Sequence, residues 1–326
     1  MVPLLKHERT STPKRWLAGY CFLTLAATLV LLYAGGFTTT IGAGMVFPDW
    51  PLSNGSLNPP GWTTDQAMLA EHGHRLLGAV VGSLCIVLCL WMWRREERRW
   101  LRRLSYAALA LVIFQGLLGG ARVLFVSLNL AKVHGITAQI FLCTLTAVAV
   151  GSSAWWRRLD RPDSDGGQRQ WTLLRRTGLT ICGLTMVQLL LGTVIRHRGA
   201  GLSIPYFPHS SPDGGLLPLS WNWATTLHFS HRVVAVILTL LFFVWLVRLW
   251  KSGWVSATVK RLAVAGAVLL VLQILLGAGI IWSARAPIQT TLHVLNGAIF
   301  LSIGWAVTFS FFKPELEPSS ATWKTG

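Results

Sequence analysis

The sequence predicts an all-α polytopic membrane protein with eight transmembrane helices. They are arranged as two tandem four-helix bundles in parallel repeat, with both termini in the cytoplasm. Three observations predict this fold: long apolar blocks, an asymmetric distribution of basic residues, and an internal duplication. The chain has 326 residues, of which 52% are hydrophobic and 13% are charged. Because soluble domains carry about 25% charged residues, this composition excludes an ordinary soluble protein.

The apolar blocks are roughly 20 to 26 residues long, enough to cross a hydrocarbon core about 30 Å thick. Eight spans are predicted, at about 16–41, 68–93, 104–126, 132–156, 172–196, 225–250, 259–282 and 288–312. The first has no cleavage-site pattern and is longer than the apolar part of a signal peptide. It is therefore predicted to be retained as a helix.

The basic residues set the predicted orientation. Of the 29 Lys and Arg residues, 22 lie in the two tails and in alternate loops, at 1–15, 94–103, 157–176, 247–261 and 313–326. Such an excess marks the cytoplasmic side of a membrane protein, which places both termini there. The formal net charge of +17 is therefore a topology signal, and no nucleic-acid partner is predicted.

The chain matches itself at an offset of about 157 residues. Four segments of the first half match four of the second in the same order: "GAGMVFPDWP" with "GAGLSIPYFP", "EHGHRLLGAV" with "HFSHRVVAVI", "QGLLGGARV" with "QILLGAGII", and "KVHGITAQIFL" with "TLHVLNGAIFL". Four helices per repeat return the chain to its starting side, so the repeats are parallel. The predicted division is 1–160 and 161–326.

Four histidines stand in register in this duplication: His74, His134, His231 and His293. Each lies near the outer end of its predicted helix, so His74 can face His134 and His231 can face His293. Paired imidazoles between helices suit a metal, and ionisable groups at membrane depth are functional candidates by default. No cysteine or carboxylate set completes a zinc site, whereas a haem needs only two axial nitrogens. The four histidines are therefore predicted to ligate metal in two haem sites.

Seven basic residues do not follow this cytoplasmic distribution, because they lie at the outer ends of the spans. They are Arg75, Arg122, Lys132, Arg196, Arg198, Arg232 and Arg285. Five of them are predicted to lie at the depth where haem propionates would emerge: Arg75, Arg122, Lys132, Arg232 and Arg285. Since arginine pairs strongly with carboxylates, Arg75, Arg232 and Arg285 are predicted to bind the propionates.

One acidic residue breaks the symmetry of the repeats. Glu71 lies three residues before His74, on the same helical face, and His228 takes its place in the second repeat. A carboxylate beside a ligand histidine can orient that ligand or act as an acid/base group, and both alternatives are open. Because only the first repeat has the carboxylate, the first site is predicted to be the reactive one.

Taken together, "GAGMVFPDWPLSNG", "EHGHR", "KVHG", "HFSHR" and "TLHVLNGA" resemble the heme A synthase family over about residues 16–312. The resemblance implies an oxidoreductase of a bacterial-type plasma membrane with haem sites near the extracytoplasmic face. It would oxidise the C8 methyl group of heme O to a formyl group by successive hydroxylations, giving heme A for cytochrome oxidase. Histidines on both sides of the iron favour electron removal, with water as the oxygen source, over oxygen activation at the metal.

The resemblance also implies roles for individual residues. The first half would take the substrate haem between His74 and His134, and the second would hold a haem b prosthetic group between His231 and His293. Glu71 matches the acidic residue of the family pattern, so Glu71, His74 and His134 form the implied catalytic set. The implied partners are heme O synthase, the cytochrome oxidase assembly and an electron acceptor of open identity, and a homo-oligomer is compatible with the family.

One feature of the sequence departs from the family pattern. Many family members carry a cysteine pair in the first outer loop, whereas Phe47 and Ser53 flank "PDWPL" here, so no thiol chemistry is expected. The outer loops at 42–66 and 197–224 are rich in Gly, Pro and Trp and are predicted to cover the two sites.

Two other functions fit paired histidines. A di-haem cytochrome b-like quinol oxidoreductase would place its haems near opposite membrane faces. A haem transporter or chaperone would bind haem at the outer face and would form no formyl haem.

Overall fold

The computed structural model describes residues 12–159, 162 and 164–316. Within them, eight helices are long and apolar enough to cross a membrane, which confirms the predicted all-α polytopic class and the number of spans, while the parallel repeat stays a prediction. The helices are α1 (Thr12–Thr40), α2 (Gln66–Arg95), α3 (Arg99–Leu124), α4 (Leu128–Ser152), the short α5 (Ala154–Arg157), α6 (Asp165–His197), α7 (Trp223–Lys251), α8 (Ala257–Trp282), α9 (Pro287–Ser310) and the short α10 (Lys313–Leu316). A 3-10 turn at Ala200–Leu202 precedes α7.

The long helices form two rings of four. In the first ring α1 packs on α2 and α4, and α3 packs on α2 and α4; in the second, α6 packs on α7 and α9, and α8 packs on α7 and α9. The rings meet where α1 packs on α9 and where α4 packs on α6 and α9. In their most apolar stretches α4 and α9 bury 50% and 61% of their residues, against 17–28% for the other spans. These two helices therefore form the centre of the molecule.

Capping residues fix where the histidine-bearing helices begin. Asp65, Ser127 and Asn222 accept hydrogen bonds from backbone N–H groups in the first turns of α2, α4 and α7, groups that have no partner within a helix. The fourth, α9, begins with Pro287, whose missing N–H costs nothing at that position. The first residues of these helices set how far from the loop end of the bundle each histidine lies.

Five helix ends differ from the predicted spans by four residues or more, and capping residues explain two of these differences. The fourth span ends at Ser152 rather than near 156, because Ser153 adopts an extended backbone and caps α5. The fifth begins at Asp165 rather than near 172, because Ser164 caps it. Its first turns are polar, and a hydropathy pattern does not register a helix there.

The two long loops, 41–65 and 198–222, lie at the same end of the molecule. Arg196 at the end of α6 and Thr291 at the start of α9 both hydrogen-bond to Thr40 at the end of α1. We call this the loop end. The cytoplasmic position of the termini, opposite the loop end, stays a prediction.

Candidate functional site

The first predicted histidine pair lies at the loop end of the first ring. The His74 ring, on α2, packs against Gly35 of α1, where an added Cβ would come within 2.6 Å of it. The His134 ring, on α4, packs against Gly119 of α3, where an added Cβ would stand 3.5 Å away. The His74 ring thus occupies a notch that requires a glycine in the neighbouring helix, whereas the His134 ring would make an ordinary contact with an added Cβ. The two imidazoles are close enough to interact electrostatically.

The second pair has the same arrangement in the second ring. His231, on α7, packs against Gly192 of α6, and His293, on α9, packs against Gly277 of α8, with added Cβ atoms at 3.5 and 3.2 Å. The two imidazole centroids lie 6.5 Å apart. A metal bonded at about 2 Å to one nitrogen of each ring needs centroids roughly 6 Å apart. The second pair therefore has the spacing of two ligands on one metal.

These contacts recur at the offset of the sequence duplication. Gly35 and Gly192 are 157 residues apart, and Gly119 and Gly277 are 158 apart. In each ring, the first histidine contacts the first helix and the second histidine contacts the third helix. The two sites are therefore built from equivalent positions.

The donor sets fit a haem. The Nδ1 atoms of His74 and His231 are buried without a hydrogen-bond partner in the described part of the chain, and burying such an atom unsatisfied is costly. No three His, Cys, Asp or Glu side chains among the described residues are grouped to hold a bare metal ion. Each pair thus offers two ligands, and a haem needs only two because the macrocycle supplies the other four.

Two glutamines that the sequence did not single out contact the second histidine of each pair. On α3, the side-chain amide of Gln115 lies 3.0 Å from Nδ1 of His134. On α8, the backbone carbonyl of Gln273 lies 3.1 Å from Nδ1 of His293, and its side-chain amide lies 3.3 Å from Nε2. A hydrogen bond to one ring nitrogen sets the tautomer and orientation of a ligand histidine. The duplication aligns Gln115 with Gln273, and that alignment is the signal from which they could have been found.

Glu71 is buried and binds the first long loop. Its Oε2 accepts hydrogen bonds from the backbone N–H groups of Val46 at 2.5 Å and Phe47 at 3.1 Å, and its Oε1 accepts one from Arg75 at 2.6 Å. Only 2% of the Glu71 side chain and 12% of the Arg75 side chain are exposed, so this is a buried ion pair. The carboxylate therefore ties the loop to α2. Its predicted roles toward His74 and the substrate stay predictions.

Arg75 hydrogen-bonds to backbone carbonyls of the same loop. Its guanidinium donates to the carbonyl oxygens of Phe47, Asp49 and Leu52 at 3.4, 2.8 and 2.5 Å, and it lies over the Phe47 ring. These bonds satisfy carbonyls that a loop outside regular structure would otherwise leave unpaired. Arg75 thus clamps the loop onto α2, and its contact with a haem propionate stays a prediction.

Arg232 clamps the second loop in the same way. It donates to the carbonyl oxygens of Ile204, Tyr206 and His209 at 3.2, 2.6 and 3.1 Å. These three residues lie 157 positions after the three whose carbonyls Arg75 binds. The two arginines therefore hold equivalent points of the two loops.

His228 stands in the place of Glu71 and makes the equivalent contact. Its Nδ1 accepts a hydrogen bond from the backbone N–H of Ile204 at 3.3 Å, the position that corresponds to Phe47. The second loop is therefore anchored by an imidazole where the first is anchored by a carboxylate.

The other outer cations also lie at the loop end. The aliphatic part of Arg285 packs against Gly201 of the second loop, and its role toward a propionate stays a prediction. Arg122, at the end of α3, donates to the carbonyl of Gly44 at 3.1 Å. That bond ties the first loop to α3 as well as to α2.

Ionised aspartates stabilise a turn in each loop. Hydrogen bonds from the backbone N–H groups of Gly55 and Asn54, both at 2.7 Å, hold the pKa of the Asp49 carboxyl below its ordinary value. In the second loop, the hydroxyl of Ser211 does the same for the pKa of Asp213. Both turns are therefore formed around the charged carboxylate.

In the described part of the chain, eight helices apolar enough to span a membrane form two rings, each with a histidine pair at the loop end, and so define a multi-pass membrane protein with two matched candidate ligand sites. A family model described as "COX15-CtaA: Cytochrome oxidase assembly protein" matches residues 14–304. The chain belongs to this family.

Proteins named heme A synthase are similar over most of the chain. One from Alkalihalophilus pseudofirmus is 26% identical over 304 residues, covering 91% of this chain and 97% of the relative. One from Symbiobacterium thermophilum is 30% identical and covers 71% of this chain and 74% of the relative. One from Rhodopseudomonas palustris is 27% identical and covers 87% and 91%. The similarity thus spans both rings.

Proposed function

We propose that this protein is a membrane oxidoreductase with heme A synthase activity, oxidising the C8 methyl group of heme O to the formyl group of heme A. The observation that carries the proposal is the matched pair of histidine sites, one in each ring, at the loop end. Membership of the family and the names of the similar proteins support the activity.

The two sites are proposed to differ in what they hold. His74 and His134 flank the substrate haem in the first ring, and His231 and His293 ligate a resident haem b in the second. The division follows a chemical difference between the sites, since the first has a carboxylate where the second has an imidazole. Arg75, Arg232 and Arg285 are proposed to face the haem propionates at the loop end.

The reaction adds one oxygen atom to the methyl carbon. The substrate haem supplies a methyl group that is conjugated with its macrocycle. Two hydroxylations of that carbon give a geminal diol, which loses water to form the aldehyde. With water as the oxygen source, the conversion consumes one water and releases four protons and four electrons, so an external redox carrier must accept the electrons.

The chain holds, orients and covers the substrate. His74 and His134 hold the macrocycle from two sides, and Gln115 fixes the orientation of the His134 ring. Glu71 lies one turn before His74 and is proposed to accept protons released at the methyl carbon, while its remaining bonds keep the loop seated. Arg75 holds that loop across the mouth of the site, which limits the access of water.

The remaining assignments concern the surroundings of the protein. The loop end is proposed to face the extracytoplasmic side, because basic residues are concentrated in the tails and loops at the other end. Heme O synthase and the cytochrome oxidase assembly are the proposed partners before and after the reaction. A homo-oligomer is compatible with this arrangement.

The position of the sites argues against a quinol oxidoreductase. That class would place its haems near opposite membrane faces, whereas all four histidines lie toward the loop end. A haem carrier would use the same ligands and differs only in chemistry, so the products must be identified.

The direct test is to express the chain in a bacterium that makes heme O and to identify the extracted haems by mass. Heme A, or its hydroxylated precursor, is expected with the unmodified chain and not with His74→Met. Bound haem without a formyl or hydroxyl product would point to the carrier and contradict the proposal. Oxidation of quinol without formyl haem would favour the oxidoreductase.

A further inference from the structure

His72 has no place in either histidine pair, and it lies at the centre of the first loop's contact with α2. It is 4% exposed, and its Nδ1 lies 3.0 Å from the hydroxyl of Ser53 in the loop. The Trp62 ring meets the imidazole edge-on with centroids 4.7 Å apart, and the Phe47 ring lies 6.1 Å away. The loop is thus folded around this side chain.

In the second half a half-buried phenyl ring takes the equivalent position, beside a tryptophan that is 54% exposed. Phe229 stands 157 residues after His72 and meets Trp221 edge-on with centroids 5.2 Å apart. Ser210 corresponds to Ser53 and contacts Arg232 at 3.4 Å, as Ser53 contacts Arg75. A phenyl ring therefore fills this frame, so the imidazole is not required for packing.

The imidazole of His72 makes the contact between the first loop and α2 weaker than a phenyl ring at the same position would. Its Nε2 is buried without a hydrogen-bond partner among the described residues, and a buried polar group left unpaired destabilises the closed loop. Opening the loop gives that nitrogen access to water and removes the cost. The bond to Ser53 offsets only part of it, because the net contribution of one hydrogen bond is smaller than the cost of an unpaired buried group. Phe229, in contrast, loses favourable apolar burial when its loop opens.

The first loop crosses the mouth of the first site. On one side it is tied to α2 by Glu71 and Arg75. On the other, the Trp50 ring fills the notch at Gly120 of α3, where an added Cβ would come within 2.5 Å of it. Gly120 is next to Gly119, which contacts His134. Motion of this loop therefore changes access to the histidine pair.

We propose that His72 is a positioning residue that makes the first loop a lid, one that opens more readily than it would with phenylalanine, the residue at the equivalent position of the second half. The inference rests on the proposed function in one respect: a substrate haem must enter and leave the first site, while a resident haem stays in the second. A histidine at the first site and a phenylalanine at the second match those two needs.

The test is backbone hydrogen–deuterium exchange of the protein in lipid nanodiscs, followed in peptides from 45–62 and from 202–221. His72→Phe copies the equivalent position of the second half and is expected to slow exchange in the first loop about threefold to tenfold, with the second loop unchanged. Ser53→Ala removes the bond and keeps the orphaned imidazole, so faster exchange is expected. Phe229→His is the matched control and should speed exchange in the second loop only.

Unchanged or faster exchange in His72→Phe would overturn the proposal. If that variant does not accumulate, Ser53→Ala and Phe229→His decide: faster exchange in both supports the lid, and slower or unchanged exchange in either contradicts it. Exchange does not depend on catalysis, so the two proposals fail separately. Slow exchange in His72→Phe, with no heme A formed by the unmodified chain, would support the lid proposal and contradict only the proposed heme A synthase activity.

Discussion

Replacing Glu71 tests the anchoring of the first loop and its proposed chemistry together. Glu71→Ala removes the acceptor of two backbone N–H groups and leaves Arg75 without its carboxylate, with both side chains buried. Breaking a buried ion pair by removing one partner costs about 3–5 kcal/mol. Because each 1.4 kcal/mol is a factor of about ten, the first loop should open at least about a hundredfold more often.

Glu71→His is the matched variant, because it places the residue of the second half in the first. An imidazole can accept the N–H of Phe47, as His228 accepts that of Ile204, so the loop should open less often than in Glu71→Ala. Hydrogen–deuterium exchange of residues 45–62 measures the opening, and haem extraction measures the product. Both variants are expected to lose heme A formation, since neither retains the carboxylate. Exchange in Glu71→Ala at the unmodified rate would refute the anchoring, and full product formation by Glu71→His would refute the chemistry.

Three further predictions concern the glycine that contacts His74, the glutamine that orients His134, and the turn that Asp49 stabilises in the first loop. Gly35→Ala brings a Cβ within 2.6 Å of the His74 ring and should abolish heme A formation, whereas Gly78→Ala on the same helix as His74 meets nothing within 4 Å and should leave it intact. Gln115→Leu removes the amide beside His134 and should weaken binding of heme O about tenfold or more, measured as a higher KM, with the absorption spectrum of the resident haem unchanged. Asp49 has a lowered pKa in the folded loop, so its contribution is complete at neutral pH and is lost as the pH falls through that lowered value. Pepsin should therefore cut the first loop increasingly as the pH drops below 4, and Asp49→Asn should remove this dependence.

The spans could be read from the sequence because a lipid-facing helix must be apolar along its whole length. The start of α6 could not, because that helix begins with polar residues behind the Ser164 cap. The histidine pairs could also be predicted from the sequence, because the duplication gave each histidine a counterpart at the same depth. The distance between the two imidazoles of a pair could be obtained only from the structure.

The contacts of Arg75 and Glu71 could not be read from the sequence. Their types and positions indicated ligands for a haem, whereas the structure shows them binding backbone groups of a loop 23 to 28 positions earlier in the chain. Backbone carbonyls leave no signature in a sequence, so a clamp on the main chain is invisible to pattern analysis. The glutamines beside His134 and His293 are different, since the repeat aligned them and only their chemistry was overlooked.

The central claim is that two histidine pairs hold two haems with different roles. The measurement that tests it most directly is the haem absorption spectrum and haem content of purified His231→Met and His74→Met, alongside heme A formation by each in a heme O-producing host. We expect His231→Met to perturb the spectrum of the resident haem, and His74→Met to leave this spectrum unchanged and to form no heme A. A resident-haem spectrum altered by His74→Met and untouched by His231→Met would contradict this claim.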